Sequence, residues 1–198
     1  QTLNGLSSSG VGTSRIDNLS SSAATLTVGA ADGAGVFSGA LQSTAGAVNL
    51  VKTGAGTINL AGVNSQSGTI TVNAGVLQFS KLTALYNGTT GSWTAANLTI
   101  NTGGTLALSV GGAGEFTSAD AVLLAALGSA GGGFQSGSFL GLDTTNAGGT
   151  LTFSSPLANP NGDANALGLM KLGTGTLVLE GASTYTGGTV LAAGVLSI

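Results

Sequence analysis

Hydrophobic and polar residues alternate over short stretches along most of this chain. In a clear example, Ile58 and Leu60 alternate with Thr57 and Asn59, which is the period of a β-strand with one face turned inward. Turns that contain glycine separate such stretches, as in residues 62–68. The pattern therefore predicts an all-β fold of many short strands joined by tight corners.

One 30-residue sequence repeat occurs twice in the chain. Residues 50–79 align with residues 169–198 without a gap and share 12 identical positions. Each copy predicts three short strands separated by glycine corners. We expect a structural role for the following residues, which define the repeat: Lys52, Gly54, Gly56, Thr57, Leu60, Gly62, Gly75, Leu77, Lys171, Gly173, Gly175, Thr176, Leu179, Gly181, Gly194 and Leu196.

Frequent corners between short strands fit either a β-sandwich or a β-solenoid, in which successive coils of the chain stack. Small inward aliphatics, glycine corners and outward Thr, Ser and Asn side chains that can form ladders between coils favour the solenoid. A sandwich usually has longer strands and larger aromatic core residues. We predict a single solenoid segment over residues 1–198, with about nine coils of roughly 22 residues and a length of about 40 Å.

The segment at about residues 115–135 breaks the strand pattern. Thr117 and Ser118 are candidate helix caps, Asp120 lies in the first turn, and helix-forming residues continue to Gly128. We predict one short external helix near residues 117–127, followed by a flexible glycine-rich return loop at residues 131–133.

The composition excludes several kinds of chemistry. The 198 residues include no His and no Cys, so the chain has no imidazole base, no thiolate nucleophile and no ordinary zinc, copper or haem ligands. We therefore predict no cofactor and no metal. Seven carboxylates are scattered along the chain: Asp17, Asp32, Glu115, Asp120, Asp143, Asp163 and Glu180.

The charge pattern argues against two kinds of partner. The chain has four basic residues and a formal net charge of −3, which is too little positive charge for a surface that neutralises several phosphates or anionic lipids. The longest apolar run, residues 119–128, is far shorter than the roughly 20 residues of a membrane helix. We expect no nucleic acid partner and no membrane insertion by this segment.

Three local motifs have simple interpretations. Lys52 and Lys171 precede a G-x-G-T corner in each copy, and we expect both to be solvated residues at strand edges that discourage stray pairing. The G-x-G-T sequences lack the spacing of a phosphate loop. Residues 159–163 (NPNGD) and 143–146 (DTTN) are interpreted as polar turns, although the first resembles part of a calcium loop.

The repeated sequence resembles that of a known repeat family. LVKTGAGTINLAG at residues 50–62 and LMKLGTGTLVLEGASTYTGGTVLAAGVL at residues 169–196 resemble the autotransporter-associated β-strand repeat, also called the passenger-associated transport repeat, of bacterial autotransporter passengers. The first copy departs from the pattern, since Gln66 stands where the second copy has Tyr185. The resemblance implies a right-handed β-helix, secretion, surface display and a repeat that helps passenger folding and transport. It implies no reaction.

These observations predict a structural segment without catalysis, on the bacterial cell surface or outside the cell. The chain begins at Gln1 without a signal peptide, so we expect a mature product or a part of something longer. An uncapped solenoid exposes strand edges. We therefore expect end-to-end self-association or continuation into further repeats.

Two alternative functions stay open. A carbohydrate- or surface-binding adhesin module could use Trp93, Tyr86 and Tyr185 as a sugar-stacking surface on a surface glycan. A polysaccharide lyase or glycosidase on a β-helix is the more remote alternative, since glycoside hydrolysis needs two cooperating carboxylates and the acids here are far apart in sequence.

Overall fold

The computed structural model describes residues 1–8 and 14–198. This part of the chain is mostly β-structure with one α-helix. The strands are β1 (Arg15–Asp17), β2 (Ala24–Val28), β3 (Gly35–Phe37), β4 (Ala40–Gln42), β5 (Val48–Lys52), β6 (Thr57–Leu60), β7 (Ile70–Val72), β8 (Gly75–Phe79), β9 (Leu98–Ile100), β10 (Gly104–Ser109), β11 (Gly133–Phe134), β12 (Ser138–Asp143), β13 (Thr150–Phe153), β14 (Leu167–Leu172), β15 (Thr176–Leu179), β16 (Thr189–Leu191) and β17 (Val195–Ser197).

The strands form four sheets in which all paired strands are parallel. Sheet I has seven strands in the order β16-β14-β12-β10-β8-β6-β3, and sheet II has five in the order β11-β9-β7-β5-β2. Sheet III has the order β13-β15-β17, and sheet IV pairs β1 with β4. The prediction of an all-β fold is confirmed, and the parallel pairing argues against an antiparallel sandwich.

Each strand pairs with a strand that comes one coil later in the chain. Leu50 lies beside Ile70 in sheet II, and Ile58 lies beside Leu77 in sheet I, so this coil contains 20 residues (70 − 50) or 19 (77 − 58). Other coils are longer because they contain insertions: Leu106 lies beside Leu140. Sheet I of the described chain has seven strands, which span about 29 Å at ~4.8 Å per strand.

The core consists of columns of aliphatic side chains, one from each coil. In sheet II, Leu26, Leu50, Ile70 and Leu98 occupy paired positions and are buried. In sheet I a similar column runs through Ile58, Leu77, Leu106, Leu140 and Leu169. Burial of each such side chain contributes about 1.5–3 kcal/mol. The alternation seen in the sequence thus places one face of each strand in a shared core.

Polar side chains on the outer face connect neighbouring coils, as the sequence predicted. The Ser80 hydroxyl donates a hydrogen bond to the side-chain amide oxygen of Asn59 at 2.6 Å. The side-chain amide nitrogen of Asn101 donates to the side-chain amide oxygen of Asn73 at 2.7 Å. Side-chain pairs of this kind add a few tenths of a kcal/mol each to sheet stability.

The helix α1 comprises Ser118–Ala125, inside the range predicted for it. Thr117 is its N-cap: the Thr117 hydroxyl accepts from the Asp120 backbone N–H, and the Asp120 carboxylate accepts from that of Thr117. This reciprocal arrangement is a capping box. Ala121 and Leu124 are buried on one side of the helix and Leu123 is exposed on the other. No helix in residues 1–8 and 14–198 is long and apolar enough to cross a membrane.

Candidate functional site: two lysine corners

The two copies of the repeat build the same corner around a buried lysine. In the first copy, β5 ends at Lys52 and β6 begins at Thr57. The burial pattern of β5 alternates, so Lys52 points inward with Val48 and Leu50, and its side chain is 0% exposed. Its strand neighbours on the preceding and following coils are Val28 and Val72. The hydrocarbon stem therefore occupies a place in the aliphatic core.

The ammonium of Lys52 binds the backbone of two successive coils. It donates hydrogen bonds to the carbonyls of Thr53 and Gly54 in its own corner, at 2.6 and 2.7 Å. A third bond, of 3.1 Å, reaches the carbonyl of Ala74 in the corner of the next coil. An ammonium group has three donors, and all three have partners here. The lysine thus satisfies corner carbonyls and links adjacent coils.

Lys171 repeats this arrangement in the second copy. It too is 0% exposed, and its ammonium donates to the carbonyls of Leu172, Gly173 and Ala193 at 2.6, 2.8 and 3.2 Å. The expectation that both lysines are solvated edge residues was wrong. Their alternation with Leu50 and Leu169 is the signal in the sequence that places them on the inward face.

One aspartate from the preceding coil lies near each corner. Asp32 accepts a hydrogen bond from the Ala55 backbone N–H at 2.6 Å, and Asp143 accepts from Thr145 at 3.0 Å. Burial lowers the pKa of Lys52 and of Lys171, since an ammonium loses hydration inside the protein, and the charges of Asp32 and Asp143 partly oppose that shift. The corner carbonyls and the nearby carboxylate together compensate each buried charge.

Glycine is required at the corner for two reasons. Gly54 and Gly173 have φ values of 65° and 72°, in the left-handed region that favours glycine. A Cβ atom at Gly54 would also collide with the backbone carbonyl of Gly29 on the preceding coil. Gly62 and Gly181 are restricted by backbone atoms of the preceding coil in the same way. The repeat glycines therefore permit close stacking of coils.

A second link between coils occurs after the second strand of each copy. The Asn64 side chain is 0% exposed, accepts from the Leu41 backbone N–H at 3.0 Å, and donates to the Ala84 carbonyl at 2.8 Å. At the equivalent position Ser183 accepts from the Leu157 backbone N–H at 3.1 Å. The repeat pattern does not indicate this position because the two copies carry different residues there.

The two copies occupy different faces of the molecule. In the first copy the lysine corner joins sheet II to sheet I, since β5 and β6 belong to those sheets. In the second copy it joins sheet I to sheet III, through β14 and β15. The same hydrogen bonds form in both places. The corner geometry is therefore a property of the repeat sequence and does not depend on the face on which the repeat lies.

The remaining repeat positions are mostly core or strand positions. Leu60, Leu77 and Leu179 are buried, whereas Leu196 is half-buried because it lies on the last coil. Thr57 and Thr176 begin the second strand of each copy. Gly56, Gly75, Gly175 and Gly194 lie against backbone of the preceding coil.

The carboxylates do not gather into a site. Within the described ranges there is no group of three or more acidic residues that could hold a metal ion. Six of the seven acids instead accept hydrogen bonds from nearby backbone or side-chain groups: Asp17, Asp32, Glu115, Asp120, Asp143 and Glu180.

The two predicted polar turns, at residues 143–146 and 159–163, are turns in the structure. In the second turn the side-chain oxygen of Asn159 accepts hydrogen bonds from the backbone N–H groups of Leu167 and Thr186, so this side chain links coils.

The three aromatic candidates do not form a stacking surface. Trp93 and Tyr86 are 3% and 5% exposed. Trp93 packs on Phe116 with the ring centroids 5.9 Å apart. Tyr185 is half-buried on the second copy, and its hydroxyl lies 2.7 Å from that of Thr189. Trp93 and Tyr86 are core residues.

Comparison with known families identifies the repeat. Residues 50–79 and 169–198 each match the family model of the passenger-associated-transport-repeat. The matched segments have the same boundaries as the two copies found by internal alignment, and the predicted resemblance is confirmed. A search of curated proteins and a search of solved structures gave no significant match.

Proposed function

We propose that this chain is a structural segment of a bacterial passenger-type protein, a stiff stack of coils without catalytic activity. The observation that carries the proposal is the duplicated lysine corner, whose three donors are all used to fix backbone carbonyls of two coils. A buried charge used in this way leaves no free group for chemistry. The hydrogen bonds of each lysine instead form a rigid connection between successive coils.

We infer that the coils form a right-handed β-helix that acts as one unit over the whole chain. Parallel strands in one sheet are joined by right-handed crossovers in about 98% of cases. Every strand pairing here is of this parallel type, and the aliphatic columns run through successive coils. A continuous core of this kind supports a single mechanical unit.

The cell surface or the extracellular space is the proposed location. The family of the repeat belongs to autotransporter passengers. Only four residues of the chain are Lys or Arg, and Lys52 and Lys171 are buried. A chain with so few accessible cleavage sites for trypsin-like proteases is suited to such an environment.

A further coil of the same repeat type is the proposed partner of the last coil. Strands β16 and β17 have one neighbour each, and Leu191 and Val195 are 54% and 53% exposed there. Parallel strand edges with apolar side chains readily accept another strand. Either a second copy of this chain or additional repeats would cover this surface, so the proposed role is to lengthen a rod or fibre.

Small-angle X-ray scattering over a concentration series tests this function. We expect an elongated particle whose cross-section is constant and whose maximum dimension grows with concentration. A compact, round particle at every concentration would contradict the rod. Labelling of intact source cells by an antibody against the chain tests the location, and labelling that requires lysed cells would contradict it.

A further inference from the structure

The two exposed basic residues of this chain line the same groove. Two of the four basic residues, Lys52 and Lys171, are buried in the corners. The other two, Arg15 and Lys81, are exposed and lie in the wall of a groove of about 690 Å³ on the outer side of sheet IV. In the part of the chain that the structure describes, no acidic residue lines this groove. The wall is therefore positive although the chain has a formal net charge of −3.

The groove runs along the stack across four successive coils. In sheet IV, Ala40 pairs with Arg15 on the preceding coil. The segment after β6 lies one coil further along, since the Ala61 backbone N–H donates to the Phe37 carbonyl. Lys81 follows on the fourth coil, because β8 pairs with β6. Arg15 and Lys81 are therefore three coil spacings apart, which is about 14 Å at ~4.8 Å per coil.

Small residues form the floor between the two cations, and polar side chains rise beside it. Gly39, Ala40 and Gly62 belong to the floor, and Gln42 points outward because it alternates with buried Leu41. The backbone of the floor is already paired between coils, as in the hydrogen bond between Ala40 and the preceding coil. A peptide that binds by adding a strand needs a free backbone edge. The floor therefore suits flat rings that carry polar groups better than it suits a peptide strand.

Most of the charge of Arg15 stays available to a ligand. Its Nε atom lies 3.7 Å from a carboxylate oxygen of Asp17, which pairs with Gln42 in sheet IV. The Asp17 carboxylate accepts two hydrogen bonds from Thr44, at 3.0 and 2.7 Å, and its side chain is 6% exposed. The Arg15 side chain is 57% exposed. A guanidinium presents several donors in a plane and matches a carboxylate in two parallel hydrogen bonds.

We propose that this groove binds a strand of an acidic polysaccharide that lies along the stack. Carboxylates of the sugar chain pair with Arg15 at one end and with Lys81 at the other. The sugar rings between them lie on the small residues of the floor, and the side chains of Ser38 and Gln42 exchange hydrogen bonds with ring hydroxyls. A groove lined by one sign of charge attracts ligands of the opposite sign. This binding site goes beyond the proposed structural role and does not depend on it.

NMR titration of the full, isotope-labelled chain with oligogalacturonates tests the site. We expect chemical shift changes around Arg15, Gln42 and Lys81, and tighter binding of the hexamer than of the dimer, because only the longer chain reaches both cations. Binding should weaken as the salt concentration rises from about 20 to 200 mM. The methyl ester of the hexamer has the same rings without charges and should not bind. A glutamate hexapeptide has the charges without the rings and should bind more weakly.

Removal of each cation locates the binding. Arg15→Gln and Lys81→Gln are each expected to lower the affinity for the hexamer about three- to five-fold, as for exposed ion pairs. The two sites are far enough apart for their effects to multiply, so the double variant should lose about ten-fold or more. The melting temperature of each variant should stay close to that of the wild type, since both side chains are exposed.

A matched pair of variants separates the groove from the general charge of the chain. Gln42→Glu places a carboxylate in the wall, and Asn87→Asp makes the same exchange of amide for acid at an exposed residue outside the groove. We expect weaker binding by Gln42→Glu and unchanged binding by Asn87→Asp. No binding of the hexamer, equally tight binding of its methyl ester or of the glutamate peptide, or equal losses in these two variants would overturn the proposal.

Discussion

The ammonium nitrogen of Lys52 lies 3.1 Å from the carbonyl oxygen of Ala74, which belongs to the next coil, 22 positions later in the chain. Lys171 and Ala193 have the same relationship at 3.2 Å and the same separation. A charged side chain in the core of each repeat therefore connects one coil to its successor.

Replacement of Lys52 by Met is expected to lower the free energy of unfolding by about 2–4 kcal/mol. The substitution relieves the desolvation of a buried ammonium, which costs several kcal/mol. It also removes three bonds to a charged donor, worth about 1.5–3 kcal/mol each, and leaves the carbonyls of Thr53, Gly54 and Ala74 without that donor. The lost bonds outweigh the relief, and urea denaturation measures the balance.

The matched control is Lys81→Met, because Lys81 is exposed. Its effect is expected to lie within about 0.5 kcal/mol, as for most surface substitutions. If Lys52→Met unfolds at the same urea concentration as the wild type, the lysine does not stabilise the stack.

Gly54→Ala is expected to cost about 2–3 kcal/mol or more. The left-handed conformation at Gly54, with φ of 65°, alone costs an alanine roughly 1–2 kcal/mol. The added Cβ also meets the backbone of Gly29 on the preceding coil, which cannot move without separating the coils. Thermal denaturation of the variant measures the sum.

Gly103→Ala separates the two contributions. Gly103 has φ of 81° and no atom within 4 Å of a Cβ placed there, so only the conformational cost applies. An equal loss of stability in both variants would show that close stacking of coils does not restrict Gly54.

Alkaline pH should destabilise the fold through Tyr86. Burial raises the pKa of its phenol above the ordinary value of 10.0. The folded phenol stays neutral at a pH where the unfolded phenol ionises, so the unfolded state binds fewer protons. The stability contributed by neutral Tyr86 is present below about pH 10 and decreases as the pH rises above it.

Tyr86→Phe isolates this effect. At pH 7 the variant should be less stable by about 1 kcal/mol, since the hydrogen bond to Gly68 or Asn97 is lost. Between pH 9.5 and 11 its stability should decrease less steeply than that of the wild type. Parallel pH profiles of the two proteins in urea denaturation would contradict the assignment.

Much of the fold follows from local pattern. Period-two alternation around Ile58 and Leu60 identified strands, and the helix signals at Thr117 and Asp120 placed α1 within two residues of its observed ends. Such features depend on nearby residues alone. The length of an individual coil does not follow from this pattern, because insertions such as residues 80–97 lengthen a coil without changing the alternation within its strands.

The candidate site was harder to predict because it depends on neighbouring coils. Lysine is rarely buried without a partner, and the partners of Lys52 are backbone carbonyls, which every residue has. The carbonyl of Ala74 reaches the ammonium only after two coils have stacked. The link made by Asn64 and Ser183 was missed because two different side chains perform it.

Competitive amine labelling measures whether the two lysine ammonium groups are buried between coils. The chain has three lysines, Lys52, Lys81 and Lys171, and reductive methylation of the folded protein with mass spectrometry gives the modification rate of each. We expect rapid modification of Lys81, protection of Lys52 and Lys171 by at least a hundred-fold, and equal rates after unfolding in urea. Modification of Lys52 in the folded protein at the rate of Lys81 would contradict a buried ammonium that links the coils.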